Sequence, residues 1–183
     1  MWLSPNRAGD RVRCELFALG KSDLRNYLLP LCLHHHHLTM SVSDKLKAML
    51  ENKAAANLKA GQEFLAENAQ REGVVSLESG LQYEIMHEGD GAKPGPTQTV
   101  TCHYHGTVID GRVFDSSVKR GQPASFPLNR VISGWTEALQ LMAIGSKWRL
   151  FLPPHLAYGD RQVSAEIGPN STLIFEVELL GIG

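Results

Sequence analysis

Five short segments in the C-terminal half of the chain each contain an aromatic residue, mostly beside a glycine or a polar turn. They span residues 103–106, 113–117, 131–135, 156–159 and 174–177, and the second contains a carboxylate, Asp115. Aromatic residues usually fill a core, whereas these recur at the ends of predicted elements. The arrangement predicts a cavity with aromatic walls that is open to solvent. Because no nucleophile has an evident base partner and no Gly-x-Ser-x-Gly motif occurs, covalent catalysis finds no support.

The composition limits the classes of partner and compartment. With 18 basic and 19 acidic residues the net charge is −1, so no bulk field recruits nucleic acid or an anionic membrane. No stretch approaches the roughly 20 apolar residues that cross a bilayer. The three cysteines, Cys14, Cys32 and Cys102, are an odd number at irregular spacing, which argues against a disulfide framework. We therefore expect a cytoplasmic location, with the periplasm as the alternative.

Residues 1–39 differ from the rest of the chain. They hold two of the three cysteines and four consecutive histidines at 34–37, without a sustained helical or strand period. The apolar residues 28–33 are interrupted by a proline and are too few for a signal-peptide core. We expect a disordered upstream extension without a function, with Met40 as the natural start. The alternative is a zinc or nickel site made of Cys32 and the histidines.

Residues 40–73 predict a long helix, running from Ser43 to about Arg71. Ser43 and Asp44 are suited to an N-cap, and Gly73 is suited to ending a helix. An apolar stripe follows the helical period; its members are Leu46, Met49, Leu50, Leu58, Phe64, Leu65 and Ala69. This stripe needs a partner, either the following domain or a second copy of the chain. We expect a homodimer through this helix.

Residues 74–183 switch to the period of two that is typical of β-strands. The alternation is clearest at 81–85, 100–108, 144–152 and 173–179, and an Asp-Gly pair at 110–111 predicts a hairpin. Between these strands, four apolar residues recur at helical spacing: Ile132, Trp135, Leu139 and Met142. The pattern predicts an α+β fold, in which a curved antiparallel β-sheet wraps around one short α-helix and is preceded by the long N-terminal helix.

Taken together, in this order and at this spacing, the five aromatic segments resemble the FKBP-type peptidyl-prolyl cis–trans isomerases over about residues 81–183. The resemblance implies an isomerase that accelerates rotation about X–Pro bonds during protein folding. That rotation crosses a barrier of about 18–20 kcal/mol. A catalyst for it needs an apolar cavity that grips the proline ring and strips water from the imide, so the resemblance implies no metal and no cofactor.

The resemblance also implies which residues carry catalysis. Trp135 would form the floor under the proline ring, with Tyr104 and Phe175 as aromatic walls. Tyr158 carries a hydroxyl that would donate to a substrate carbonyl. Asp115 would face the rotating carbonyl without acting as a general acid or base. Each residue also has a structural interpretation, since buried aromatic residues fill cores and an aspartate before two serines caps turns.

The remaining site residues would bind substrate. Phe114 would be a third aromatic wall, and Val131 and Ile132 would form an aliphatic side. The Ile132 backbone N–H, near a helix N-terminus, would hold another substrate carbonyl. Arg120 would help to hold the carboxylate, and Ile167 would be the apolar residue on a loop that overhangs the site.

The implied partners are proline-containing peptides, unfolded proteins and macrolide inhibitors. The longer bacterial members resemble the whole layout, with a dimerising helical arm before the isomerase domain, although the arm here is much shorter. This chain differs from better-known members at Ala124, Val163 and Glu166, which are expected at the rim of the cavity. The alternative function is a non-catalytic module or folding chaperone that holds proline-containing segments, and the preceding helix favours it.

Overall fold

The computed structural model describes residues 41–183, and it begins with helix α1, Val42–Asn68. The Ser41 hydroxyl accepts a hydrogen bond from the Asp44 amide at 3.1 Å, and the Asp44 carboxylate accepts one from the Ser41 amide at 3.2 Å. This reciprocal capping box starts the helix at Ser41, two residues before the predicted Ser43, because only Ser41 has a carboxylate three positions later. The extension predicted at 1–39, with its alternative metal site, lies outside the described residues.

The helix ends at Asn68, three residues before the predicted end. The amides of Gln70 and Arg71 bond to carbonyls only three residues back, those of Glu67 and Asn68, which closes the helix in a tight turn. Gly73 follows with a φ of 84°. Its left-handed backbone lets the chain turn into the first strand, a conformation that a residue with a Cβ resists.

Seven strands form one sheet in which every pairing is antiparallel. The strands are β1 Val74–Ser76, β2 Gln82–His87, β3 Thr99–Val108, β4 Val113–Ser116, β5 Ala124–Pro127, β6 Lys147–Leu152 and β7 Leu173–Ile182. Their order is β1-β2-β6-β7-β3-β4, and β5 also pairs with β3. Two further helices, α2 (Ser117–Arg120) and α3 (Ser133–Leu141), connect them. The predicted α+β fold is confirmed.

The core lies between α3 and one face of the sheet. Along β3 every second residue is buried, as the alternation predicts, and α3 buries Trp135, Ala138 and Leu139 against that face. Gly134 brings α3 close to β6, because a Cβ there would lie 2.6 Å from Leu152 Cδ2. The first turn of α3 is therefore fixed against the sheet, and Trp135 with it.

The hairpin between β3 and β4 forms where the Asp-Gly pair predicts it. The Val108 amide donates to the Arg112 carbonyl at 3.0 Å, and Gly111 takes a φ of 85° in the turn. The register places Asp115 opposite Gly106 on the neighbouring strand. This pairing holds the carboxylate beside Tyr104 of β3.

The second half of α1 packs on the sheet. The Phe64 and Phe151 rings lie 5.9 Å apart, and Asn68 donates to the Gln82 side chain at 2.8 Å. The first half of the predicted apolar stripe has no such contact, since Leu46 and Met49 are 58% and 68% exposed.

Within residues 41–183, no helix is long and apolar enough to cross a membrane.

Candidate active site

A cavity of about 300 Å³ opens to solvent where β3, β4, α3 and the loop before β7 meet. Ten residues line it: Tyr104, Phe114, Asp115, Phe126, Arg130, Val131, Ile132, Trp135, Tyr158 and Phe175. The structure thus brings together the predicted site residues, except Arg120 and Ile167. Most of the wall is aromatic or aliphatic, and its polar groups are few, as in a site that binds an apolar ligand in a fixed orientation.

Trp135 forms the base of the cavity, in the first turn of α3. Three rings meet the indole nearly edge-on, at interplanar angles of 79–84°: Tyr104 at 5.4 Å, Phe126 at 5.9 Å and Phe175 at 5.3 Å between ring centroids. Edge-to-face contacts are the favoured geometry of aromatic pairs. The rings therefore stand around the indole, which is itself one of the residues that line the cavity.

Gly106 makes room for two of these aromatic walls. The Phe114 and Phe175 rings pack edge-on at 5.4 Å, directly above the glycine. A Cβ on Gly106 would lie 2.6 Å from Phe114 Cζ and 3.0 Å from Phe175 Cε1. Both rings therefore occupy the place where any other residue would project its side chain.

The Asp115 carboxylate is held at the mouth of the cavity by two donors. The Tyr104 hydroxyl donates to Asp115 Oδ2 at 2.5 Å, and the Arg120 guanidinium donates to Oδ1. Arg120 Nη2 also donates to the Tyr104 hydroxyl at 2.9 Å, which closes a triangle of three side chains. Helix α2 presents Arg120 because the Ser116 hydroxyl caps it by accepting from the Lys119 amide at 3.2 Å.

Two hydrogen-bond donors at the cavity are free to meet a ligand. The Ile132 carbonyl accepts from the Trp135 and Thr136 amides as α3 begins, but within residues 41–183 the Ile132 N–H itself has no acceptor. The Tyr158 hydroxyl, on the loop before β7, also makes no hydrogen bond in the part of the chain described. Ile132 and Tyr158 both line the cavity.

Family models cover most of the described chain. The model for the FKBP-type peptidyl-prolyl cis-trans isomerase matches residues 90–180, and that for the domain amino terminal to these isomerases matches residues 32–85. The FKBP-type 22 kDa peptidyl-prolyl cis-trans isomerase of Escherichia coli K12 is 51% identical over 147 residues, which are 80% of this chain and 71% of that protein. This chain belongs to the FKBP-type peptidyl-prolyl cis–trans isomerases. The predicted family and enzyme class are confirmed.

Two other relatives are longer than this chain. FkpA of Aeromonas hydrophila is 53% identical over 141 residues, covering 77% of this chain and 52% of that protein. The outer membrane protein MIP of Legionella longbeachae is 53% identical over 138 residues, covering 75% of this chain and 59% of that protein. The chain thus spans between half and two thirds of the length of these two relatives.

Solved structures of FKBP-type proteins share the fold. The crystal structure of FkpA from Escherichia coli superposes with a TM-score of 0.74 at 44% identity, covering 76% of this chain and 65% of that one. A peptidyl-prolyl isomerase from Pseudomonas syringae superposes with a TM-score of 0.66 at 40% identity, covering 71% of this chain and 96% of that one.

The electrostatics of this FKBP-type cavity hold its ionisable groups in single states near neutral pH. Partial burial opposes ionisation of Asp115, but the hydrogen bonds from Tyr104 and Arg120 outweigh it and lower the Asp115 pKa. Burial, together with the nearby carboxylate, raises the pKa of Tyr104 and of Tyr158. Asp115 is therefore a carboxylate and both tyrosines keep their protons, so the cavity offers fixed hydrogen-bond donors and a fixed charge.

One predicted residue, Ile167, lies elsewhere than expected. Ile167 is only 4% exposed and packs in the core, because the Ser164 hydroxyl accepts from its amide at 3.1 Å and its carbonyl accepts from Val163 at 3.1 Å, closing the loop on itself. It therefore does not line the cavity. Arg120 lies outside the wall as well, but it donates to the Asp115 carboxylate and to the Tyr104 hydroxyl, which is the contact expected of it.

The sequence reasoning missed two lining residues, Phe126 and Arg130. Phe126 pairs with Val100 across β5 and β3. Ala124 and Phe126 lie two residues apart with the polar Ser125 between them, so the period of two was an available signal for a short strand there. Arg130 directly precedes Val131, and its position beside a predicted wall residue was the clue to include it.

Proposed function

We propose that the aromatic cavity is the active site and that it accelerates isomerisation of X–Pro bonds in unfolded polypeptides. The observation that carries this proposal is the open cavity that Trp135 lines, bounded by edge-on rings and flanked by a held carboxylate and free donors. Such a cavity fits a pyrrolidine ring and leaves the adjoining imide bond at its mouth. Proline-containing peptides are the substrate class that the family implies.

Catalysis in this cavity requires only solvent exclusion and shape. Water that hydrogen-bonds to the imide oxygen favours the planar bond over the twisted transition state, because planarity places more charge on that oxygen. Transfer of the imide into an apolar site removes this preference. Trp135 and the rings around it hold the proline side of the bond while the preceding carbonyl rotates. No metal or cofactor enters this mechanism.

The polar groups orient the substrate during rotation. The Ile132 N–H and the Tyr158 hydroxyl hold carbonyls on either side of the imide, which fixes the peptide while one bond turns. The Asp115 carboxylate faces the rotating carbonyl and offers it no proton, so the twisted imide is not pulled back to its planar form. Tyr104 and Arg120 keep that carboxylate in place.

A protease-free assay on an Ala-Leu-Pro-type tetrapeptide tests this function with the full chain. We expect a cis-to-trans rate constant that rises linearly with enzyme concentration. Without enzyme the exchange takes tens of seconds or more. A macrolide of the family's ligand class should suppress the added rate, since it would occupy the same cavity. An exchange rate that is independent of enzyme concentration would contradict the proposal.

We also propose that residues 40–73 form an arm that pairs two isomerase domains, each made of residues 74–183. Four apolar residues of α1 beyond the domain are exposed: Val42, Leu46, Met49 and Leu50. Leu46 and Phe64 are 18 residues apart, roughly five helical turns, so the face that docks on the domain continues along this free half. Burying these side chains against a second copy would stabilise a dimer by roughly 1.5–3 kcal/mol for each fully covered large residue.

The paired arm also supports the chaperone function, since two cavities facing one space can hold one unfolded chain. The full-length double variant Leu46→Glu/Met49→Glu should be monomeric by light scattering and lose at least half its acceleration of the refolding of a proline-limited protein. Its turnover of the tetrapeptide should stay unchanged. The control Ala55→Glu/Gln62→Glu adds the same charge on the opposite face of α1 and should remain dimeric. A wild-type chain that is monomeric at micromolar concentration would refute the arm proposal.

We propose a cytoplasmic location on the grounds of cysteine usage. Cys102 is buried and has no disulfide partner within residues 41–183, and burial raises the pKa of its thiol to about 12. Its protonated thiol is a poor nucleophile, so it serves as a small apolar core residue.

A further inference from the structure

The loop between β6 and β7 that carries Tyr158 contains no regular helix or strand over residues 157–172. Its two ends are joined by one backbone hydrogen bond, from the Asn170 amide to the Gly159 carbonyl at 2.8 Å. Gly159 directly follows Tyr158, which lines the aromatic cavity. The position of the Tyr158 hydroxyl therefore depends on where the C-terminal end of this loop is held.

Helix α1 holds that end of the loop. Asn57 Nδ2 donates to the Pro169 carbonyl at 2.8 Å, the residue next to Asn170. Asn57 is half-buried, and it reaches across 112 positions of sequence to make this bond. Proline has a fixed φ, and Asn170 takes a left-handed φ of 54°, so the two residues form a stiff link between the helix and the Gly159 carbonyl.

Two glycines allow the helix and the loop to meet this closely. A Cβ on Gly61 would lie 2.2 Å from Thr172 Oγ1, and a Cβ on Gly168 would lie 2.9 Å from both Asn57 Nδ2 and Lys53 Cε. Gly61, which costs the middle of α1 about 1 kcal/mol relative to alanine, therefore lies where Thr172 of the loop packs against the helix. The helix is fitted to the loop over residues 53–61 and 168–172.

From this geometry we propose that Asn57 is a positioning residue for isomerisation. It acts through Pro169 and the Asn170–Gly159 hydrogen bond on Tyr158, and it never touches substrate itself. The proposal rests on the assignment of the aromatic cavity as the active site. Because Tyr158 binds a substrate carbonyl while Trp135 forms the floor, a loosened loop weakens peptide binding and leaves the floor intact.

The same contact connects the arm to the site. The exposed residues of α1, from Val42 to Leu50, lie roughly four to two turns before Asn57, so a force that tilts the helix acts directly on the carbonyl of Pro169. The position of the loop, and of Tyr158 in the cavity, would then depend on whether Asn57 of the helix is bonded to Pro169. In the wild-type chain the seated helix fixes Tyr158 in its binding position.

The full-length variant Asn57→Asp tests the proposal. It preserves the shape of the side chain but replaces the donating amide with a carboxylate oxygen that repels the Pro169 carbonyl. We expect kcat/KM for the tetrapeptide to fall about fivefold, through a higher KM at unchanged kcat. The matched control is Asn52→Asp, the same substitution at an exposed position of the same helix, and its kcat/KM should equal that of the wild type.

A double-mutant cycle separates positioning from general stability. If Asn57 acts through the Tyr158 hydroxyl, Asn57→Asp should cost less than twofold in a Tyr158→Phe background. An equal loss in both backgrounds, no loss in the single variant, or a loss equal to the decrease in folded fraction by circular dichroism would overturn the proposal. If the wild type turns over the tetrapeptide and Asn57→Asp is silent, this inference alone fails; a wild type without turnover refutes the proposed function itself.

Discussion

Replacement of Trp135 by leucine should lower kcat/KM for the tetrapeptide between about tenfold and a hundredfold. The indole supplies the surface on which the proline ring lies, and contact with a buried ring is worth roughly 1.5–3 kcal/mol. Each 1.36 kcal/mol of lost transition-state stabilisation costs about a factor of ten in rate. Leucine also leaves the edges of Tyr104, Phe126 and Phe175 without a partner, so water enters the site. The measurement is kcat/KM per folded molecule.

Trp148 provides the control for this variant. It is 5% exposed, close to the 4% of Trp135, and the indole nitrogen of each lacks a hydrogen-bond partner within residues 41–183. Its ring stacks on that of Tyr83 with 4.4 Å between the ring centroids, and it lies outside the aromatic cavity. Trp148→Leu should therefore cost comparable stability, of the order of a few kcal/mol, without lowering kcat/KM. Equal losses of kcat/KM in the two variants would remove Trp135 from the site.

The sheet and α3 were predictable because their signals are local. Alternating burial along β3 follows directly from the alternation of its residues, and the Asp-Gly pair fixes the hairpin at Gly111. The start of α1 was also within reach: Ser41 and Asp44 have the spacing of a capping box, whereas Ser43 has none. Most cavity residues could be predicted because the aromatic segments keep the family's order.

The docking of α1 could not be predicted from its own pattern. Its apolar stripe suggested a hydrophobic contact along the whole helix, but besides the Phe64–Phe151 ring pair the contact uses two polar residues and a glycine: Asn57, Asn68 and Gly61. Two of their partners, Pro169 and Thr172, are more than 100 residues away in sequence. The third, Gln82, is a polar residue whose burial no local pattern indicates. The same holds for Ile167, whose inward direction is set by hydrogen bonds within its loop.

Replacement of Gly106 by alanine should cause the second largest loss of kcat/KM, after replacement of Trp135. The added methyl would meet Phe114 Cζ at 2.6 Å and Phe175 Cε1 at 3.0 Å, so at least one ring must leave its place. Overpacking of this kind costs about 1–3 kcal/mol of stability, measurable as a lower urea midpoint. Because both rings are walls of the cavity, kcat/KM should fall about tenfold, a loss of roughly 1.4 kcal/mol in transition-state binding.

Two further variants determine whether the ring displacement is the cause. Gly181→Ala makes the same change on β7, where a Cβ would have no neighbour within 4 Å, and should alter stability by less than about 0.5 kcal/mol. In the double variant Gly106→Ala/Phe114→Leu the smaller side chain makes room for the methyl group. Stability should recover by about 1 kcal/mol relative to Gly106→Ala, while kcat/KM stays low because a wall is missing. Recovery of kcat/KM along with stability would show that Phe114 is packing alone, and that the proline ring is held by Trp135, Tyr104 and Phe175.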